Sequence, residues 1–300
     1  MSKLYLGADV GGTKIAFLLR DEKNHTICTK TVAAANTVDS LDAAIHTFLF
    51  SSHVGLEQIT AMGIGLPGCV DTTGQFVFDI PAYGWKDVNL HEVLFSHYPF
   101  PALGANDVNV ALIGEQAEGE AQGLRDAVFI AIGTGLGGAV LTNGQIVAGH
   151  KGLAGEIGYL VEESDARSHK RFTSDAFGSL ESKCSGSGLN QLGKPFGLSA
   201  KTLFAEASAG NSYAQILLEE FLNRIAVTAA NCASLLNPEK IIFGGGLSTE
   251  LPPFMEMLQE KVSALTPISV ALCLSALGRD AGAIGACHLA IKAEQMANNS

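Results

Sequence analysis

The chain has 300 residues, of which 47% are hydrophobic and only 16% charged, with 34 glycines and a net charge of −11. Charged residues usually make up about 25% of a globular protein and glycine about 7%, so this composition describes a large core with many tight turns and excludes a disordered chain. The acidic balance, with no Lys/Arg cluster, argues against a nucleic-acid binder, and no stretch approaches the ~20 apolar residues of a membrane span.

The start, Met1-Ser2-Lys3-Leu4-Tyr5, lacks a basic segment followed by a long apolar one, so the expected location is the cytoplasm. Six cysteines at 28, 69, 184, 232, 273 and 287 form no CxxC or CxC pair and read as free thiols in a reducing compartment.

Leu4 to Val10 reads as a strand, followed by a Gly11-Gly12 turn and a second strand from Ile15 to Leu19. Thr26 to Val32 is a third, rich in β-branched residues. Ser40 to Ser51 has helical spacing, with Leu41, Ile45, Phe48 and Leu49 on one side. Ile59 to Leu66 is a strand ending at Pro67-Gly68, and Val108 to about Gln122 is a helix with Asp107 near its N-terminus.

A second start follows. Ala127 to Ile132 is a strand, Gly133 to Gly138 a turn, and Ala139 to Leu141 the next strand; Asn143-Gly144 then signals a hairpin into Gln145 to Val147. Strand, glycine turn, strand, turn, strand thus occurs twice, which predicts two domains on one plan. Residues 161–178 read as polar and irregular. Helices are expected over 199–209 and 212–236, the latter with Ile216, Leu217, Phe221, Ile225, Ala229 and Cys232 at helical steps. Lys240 to Phe243 is a strand entering Gly244-Gly245-Gly246, Val270 to Leu274 a last strand, and Ala281 to Glu294 a closing helix. The fold class is α/β.

Several constellations carry chemistry. In Asp9-Val10-Gly11-Gly12-Thr13-Lys14 a carboxylate ends a buried strand, where desolvation is costly. The turn after it can offer successive N–H groups to phosphate, and the carboxylate can hold magnesium or its water shell. A plain Gly-Gly hairpin is the alternative. Gly133-Thr134-Gly135-Leu136-Gly137-Gly138 is a second phosphate turn or a glycine bulge; it is neither a Walker A nor a Rossmann fingerprint. Gly244, Gly245 and Gly246 at a strand end suit a flat ligand such as adenine, or form a loop. Asn106 and Asp107 precede a helix, where both types are favoured caps. Glu156 and Glu181 stand isolated among apolar and glycine residues, as site or surface carboxylates. Together these features describe a nucleotide held between duplicated domains.

The chain resembles the ROK family of repressors, open reading frames and sugar kinases, within the actin-like (ribonuclease-H-like) ATPase fold. The resemblance rests on Asp9 to Lys14, Leu66-Pro67-Gly68, Gly84-Trp85, Asn106-Asp107, Gly133 to Gly138, Gly149 to Gly158, Glu181 with Ser185-Gly186, Asn237-Pro238, Gly244 to Gly246, and Asp280-Ala281-Gly282 with Gly285-Ala286. It implies two α/β lobes with mixed sheets and an interlobe cleft: a small lobe over 1–115 joined by a C-terminal helix at 289–300, and a large lobe over 116–288. It implies an ATP-dependent hexose kinase and a homodimer.

In that kinase Asp107 accepts the proton of the sugar hydroxyl, usually at C6. Asn106, Glu156, Glu181, Tyr159 and Gly68 face the sugar. Gly11, Gly12, Thr13, Lys14, Gly133, Thr134 and Gly135 flank the ATP phosphates, Asp9 lies near magnesium through water, and Gly244 to Gly246 line the adenosine pocket. Glucose is the first expected sugar; an N-acetylhexosamine, fructose, mannose or a β-glucoside is the alternative, as is polyphosphate in place of ATP.

The chain departs from the family pattern. Many members bind zinc through a His, here Tyr159, and a CxCGxxGC run, here the Cys-free Arg171 to Ser179, so no zinc is expected. Pro81-Ala82-Tyr83 stands where many family kinases have Pro-Asn-Leu, which bears on the choice of sugar. The family's repressors carry an N-terminal winged helix of roughly a hundred residues, whereas here Asp9 opens the first turn, so a repressor is not expected. A silent sugar-binding protein is the remaining alternative.

Overall fold

A computed structural model describes residues 3–168 and 177–299. Its strands are β1 (Leu4–Val10), β2 (Lys14–Asp21), β3 (Thr26–Ala33), β4 (Ile59–Leu66), β5 (Cys69–Val70), β6 (Phe76–Ile80), β7 (Trp85–Asn89), β8 (Ala102–Asn106), β9 (Ala127–Ile132), β10 (Leu136–Thr142), β11 (Gln145–Ile146), β12 (Lys240–Gly244) and β13 (Ala271–Leu274). Its helices are α1 (Val38–Ser51), α2 (Leu90–Val93), α3 (Asp107–Glu118), α4 (Glu163–Ser168), α5 (Glu181–Cys184), α6 (Gly186–Gly193), α7 (Ala200–Ser208), α8 (Ser212–Leu236), α9 (Met255–Leu265) and α10 (Ala281–Asn298).

The chain divides into two units, Met1–Gln122 with Ala148–Ala154 and Asp280–Ser300, and Gly123–Val147 with Gly155–Arg279. Residues 116–122 and 280–288, expected with the second lobe, therefore belong to the first unit, as does the excursion 148–154. That excursion is anchored where the Cys69 thiol donates to the Lys151 carbonyl.

The first unit is built on a sheet of order β3-β2-β1-β4-β8. β2 is antiparallel to β1 and β3; β1, β4 and β8 run parallel. β1 and β4 are covered on both faces, which is why their sequences are near-continuously apolar. The side chains alternate: Leu6, Met62 and Ala102 join a cluster with α1, while Tyr5, Ala61 and Leu103 join one with α3 and α10. α1 buries the expected Leu41, Ile45, Phe48 and Leu49, and Phe48 stacks on Phe17 at 4.9 Å. A small antiparallel sheet of β5, β6 and β7 completes the unit.

The second unit repeats the plan with a sheet of order β11-β10-β9-β12-β13, antiparallel through β9–β10–β11 and parallel through β9–β12–β13. Its core gathers around α8, which packs Phe221 edge-on to Phe204 of α7 at 6.0 Å. The buried stripe of α8 runs through Leu218, Phe221, Leu222, Ile225 and Ala229, whereas Ile216, expected inside, is 54% exposed. The sequence permits either start, and packing against α7 and α9 selects the stripe that runs from Ala214 to Leu218 and leaves Ile216 outside.

Other departures are local. β10 begins at Leu136, so only 133–135 form the turn and Gly137 and Gly138 lie in the strand. The expected irregular segment contains α4, while 169–176 lies outside the described residues. Strands β5 to β8 and helix α9 carry weak periodicity and were not expected. The six cysteines are free thiols. Among the described residues no helix is long and apolar enough to cross a membrane.

Candidate functional site

In the first unit, Asp9, Gly68 and Asn106-Asp107 stand at or just past the carboxyl ends of the adjacent parallel strands β1, β4 and β8. That edge is where open α/β sheets place ligands. Gly65 pairs with Asp9 in β1 and with Ala105 in β8. A Cβ placed on Gly65 would lie 3.5 Å from both the Asp9 carboxylate and the Asp107 Cα, so the two acids border one spot.

Asp9 is held in a tight place. A Cβ on Gly282, in the first turn of α10, would stand 2.4 Å from its Oδ2. A helix N-terminus favours an anion, and Lys14 also favours the charged form, but burial outweighs both and pushes the Asp9 carboxyl up to about 6. Beyond it, Gly11 to Lys14 form the β1–β2 turn, closed by the Gly11 N–H donating to the Lys14 carbonyl at 2.9 Å. Gly12, Thr13 and Lys14 are exposed, leaving the outside of the turn open.

The helix cap belongs to Asn106 rather than Asp107. The Asn106 Oδ1 accepts the N–H groups of Val108 at 3.0 Å and Asn109 at 3.1 Å, and its Nδ2 donates to the Gly68 carbonyl at 3.2 Å. Asp107 is the first residue inside α3, with its Oδ1 accepting the Val108 N–H at 2.9 Å. The two residues that looked alike in sequence therefore differ: one builds the corner, the other is presented by it.

Tyr83 was not expected here. Its hydroxyl donates to the Gly11 carbonyl at 2.7 Å, and its ring leans on Trp85 at 5.7 Å. Burial raises its pKa, followed by the negative charges of Asp107 and Asp9. The only hint in the sequence was the unusual Pro81-Ala82-Tyr83 before Gly84-Trp85.

In the second unit, the β9–β10 turn over Gly133, Thr134 and Gly135 is closed by the Gly133 N–H donating to the Gly135 carbonyl at 2.9 Å. Its outward carbonyls are also used: Gly133 accepts from the Gly186 N–H at 2.7 Å, and Thr134 from the Ser187 N–H at 3.1 Å, at the start of α6. Gly244 ends β12; Gly245 has φ +82 and sits so close to the Ile132 backbone that a side chain would collide, which makes glycine obligatory there. Gly246 opens to space.

Glu181 approaches the 133–135 turn. Its Oε1 accepts the Leu136 N–H at 3.1 Å and its Oε2 the Gly178 N–H at 3.4 Å. Burial raises the Glu181 pKa more than these bonds lower it. Glu156 is raised by burial and then by the charge of Glu181, which places the two carboxylates within electrostatic reach of each other. The Tyr159 N–H donates to the Glu156 carbonyl at 3.1 Å, and its side chain is 42% exposed.

Of the Cys-free run discussed above, 171–176 lies outside the described residues, so the no-zinc expectation falls partly there. Among the described residues no group of three or more His, Cys, Asp or Glu side chains is placed to hold a metal.

Two five-stranded mixed sheets of one order, each with a glycine turn between its first antiparallel strands, define an actin-like ATPase fold. The chain belongs to the ROK family, whose profile matches residues 5–293, and it is a sugar kinase. It is 30% identical over 310 residues to a glucokinase of Halalkalibacterium halodurans, covering 94% of this chain and 93% of that one. It is 29% identical over 308 residues to an N-acetyl-D-glucosamine kinase of Photobacterium profundum, covering 96% and 100%. A crystal structure of a ROK family glucokinase from Streptomyces griseus in complex with glucose and AMPPNP matches with a TM-score of 0.77 and 27% identity, over 96% and 99% of the two chains.

Proposed function

We propose that the protein transfers the γ-phosphoryl group of ATP to a hexose hydroxyl, with glucose and its 6-hydroxyl as the first choice. The observation that carries this reading is the neighbourhood of Gly65, where the Asp9 carboxylate and the Asp107 Cα lie 3.5 Å from one point beside the Gly11–Lys14 turn. One acid would serve the donor and the other the acceptor.

Asp107 accepts the proton of the attacking hydroxyl, and the Asn106 corner fixes the carboxylate relative to Gly68. Glu156, Glu181 and the segment at Tyr159 hold other hydroxyls. The N–H groups of Gly12, Thr13, Thr134 and Gly135, with Lys14, serve the phosphates, while Gly11 and Gly133 close and shape the two turns with their own N–H groups, and Gly244 to Gly246 serve the adenosine. Phosphoryl transfer asks for positioning and charge stabilisation more than covalent chemistry.

Magnesium fits this donor set. Burial pushes the Asp9 carboxyl up to about 6 in spite of Lys14, so its charge is under-compensated, and a cation would make up the difference. Magnesium is commonly bound by one or two carboxylates plus substrate phosphates, so a larger protein cluster is not required. Asp9 would hold it through water, and the ion would neutralise charge on the phosphates.

The test is ADP release on mixing with ATP and magnesium, across glucose, mannose, fructose, N-acetylated hexosamines and β-glucosides, with polyphosphate as a second donor. Glucose with ATP is expected to turn over fastest. No ADP release with any sugar would overturn the reading in favour of a silent sugar-binding protein. An N-acetylhexosamine is the next candidate, given the Photobacterium profundum relative.

A further inference from the structure

Glu181 begins α5, a helix of a single turn. A helix this short has no stability of its own, so tertiary contacts must hold that carboxylate in place. Those contacts lie on both sides of it. Two residues before, the buried Ser179 hydroxyl donates to the Asp165 carboxylate. Two residues after, the Lys183 Nζ donates to Glu162 Oε2 at 2.7 Å and to Asp165 Oδ1 at 3.2 Å.

The acids are themselves fixed. The Glu162 N–H donates to Asp165 Oδ2 at 2.8 Å. Glu162 Oε1 accepts from Arg224 Nε at 3.0 Å, which ties the group to the 25-residue helix α8. The backbone joins in, with the Leu180 N–H donating to the Leu160 carbonyl at 3.1 Å. Arg224 Nη1 also donates to Glu220 Oε2 at 3.2 Å, so three carboxylates face two cations. Lys183, Arg224 and Asp165 have side chains only 20%, 22% and 12% exposed, so salt screens them less than surface pairs. Hydrogen bonds, from Ser179 first, hold the Asp165 carboxyl below its usual range, so it is ionised at neutral pH.

We infer that Glu162, Asp165, Lys183 and Arg224 form an ion-pair clamp that sets the Glu181 carboxylate for the sugar, with Lys183 and Asp165 as positioning residues for sugar affinity. The inference rests on the reading of Glu181 as a sugar ligand. The competing description is a group of surface ion pairs with little effect on anything.

The experiment uses the full chain and the hexose that it phosphorylates fastest. Lys183→Met and Asp165→Asn are expected to raise the sugar KM on the order of tenfold, within the 10²-fold that a 1 Å misplacement can cost. The KM for ATP should rise clearly less than the sugar KM, because no clamp side chain bonds the 133–135 turn and the clamp reaches it only through Glu181 and the start of α6. Lys183→Arg should restore most of the sugar affinity by keeping the charge. Lys261→Met, which removes an α9 cation bonded to Asn223, next to Arg224 in sequence but outside the clamp's ion pairs, should change neither constant.

Asp165→Asn preserves side-chain shape and covers a failure of Lys183→Met to fold. Glu181→Gln separates the two levels of the argument. If it raises the sugar KM while the clamp variants stay within twofold of the parent, the clamp is wrong and the site reading stands. If Glu181→Gln leaves the sugar KM unchanged, both fall. Equal rises in sugar and ATP KM for the clamp variants would mean general loosening and would also overturn the inference.

Discussion

The Tyr83 hydroxyl donates to the Gly11 carbonyl at 2.7 Å, tying the loop between β6 and β7 to the turn between β1 and β2 across 72 residues of sequence. Tyr83→Phe keeps the ring against Trp85 and removes one hydrogen bond worth about 1 kcal/mol. On the proposed assignment the variant loosens the phosphate turn, so the ATP KM should rise several-fold while the sugar KM changes less. Steady-state kinetics with each substrate varied checks this; an unchanged ATP KM would restrict the bond to a structural role.

Asp9 offers a test with a defined sign. Its carboxyl is raised by burial to about 6 from an ordinary 3.8, so the folded state binds more protons than the unfolded state between those values. Stability therefore falls as pH rises from about 4 to about 6, and a cost on the order of 2–3 kcal/mol persists above that window. Asp9→Asn should melt several degrees higher than the parent at pH 7.5, lose this advantage near pH 4, and be inactive. A melting temperature equal to the parent's at pH 7.5 would contradict the burial argument.

Gly282→Ala is expected to damage the same carboxylate from the other side. Its Cβ would lie 2.4 Å from Asp9 Oδ2, with the backbone of α10 behind it. Asp9 must move, and kcat should fall by an order of magnitude or more, as misplacement of a reacting group does. Near-parental kcat in a folded variant would show that the Asp9 position is not critical.

Asn106 and Asp107 should separate cleanly. Asn106→Ala removes the cap of α3 and the bond to Gly68, costing about 1 kcal/mol or somewhat more of stability. Asp107→Asn keeps the cap intact and costs little stability, but removes the proton acceptor, so kcat should drop at least about a hundredfold with sugar still bound. Thermal melts beside kinetics decide it; a fully active Asp107→Asn variant would refute the assignment of the base.

The sugar carboxylates should reveal themselves in acid. Burial first, and then the charge of Glu181, raises Glu156, while burial raises Glu181. Hydroxyl binding by the charged forms should weaken, as pH falls, above the ordinary carboxylate range. Glu181→Gln removes the like charge and lets the Glu156 pKa drop, so the acid limb of kcat/KM for the sugar should move to lower pH even as KM rises. A limb that does not move would mean that the two groups do not interact.

Much of this was written in consecutive residues. The apolar runs of β1, β4 and β9, the turns at Gly11-Gly12 and Gly133 to Gly135, and the repeated plan are local patterns of burial and backbone freedom, and neighbouring residues suffice to specify them. The same holds for the motif series that marks the family. What the tertiary structure decided lies beyond local range. Which of two adjacent cap-like residues takes the α3 N–H groups depends on where β8 ends against Gly68. Whether Ile216 or the pair Ala214 and Leu218 faces the core from α8 depends on what packs there. Tyr83 at Gly11, and Lys183 with Arg224 at Glu162, are long-range meetings, set by loop paths and by the burial of charge, which no periodicity encodes.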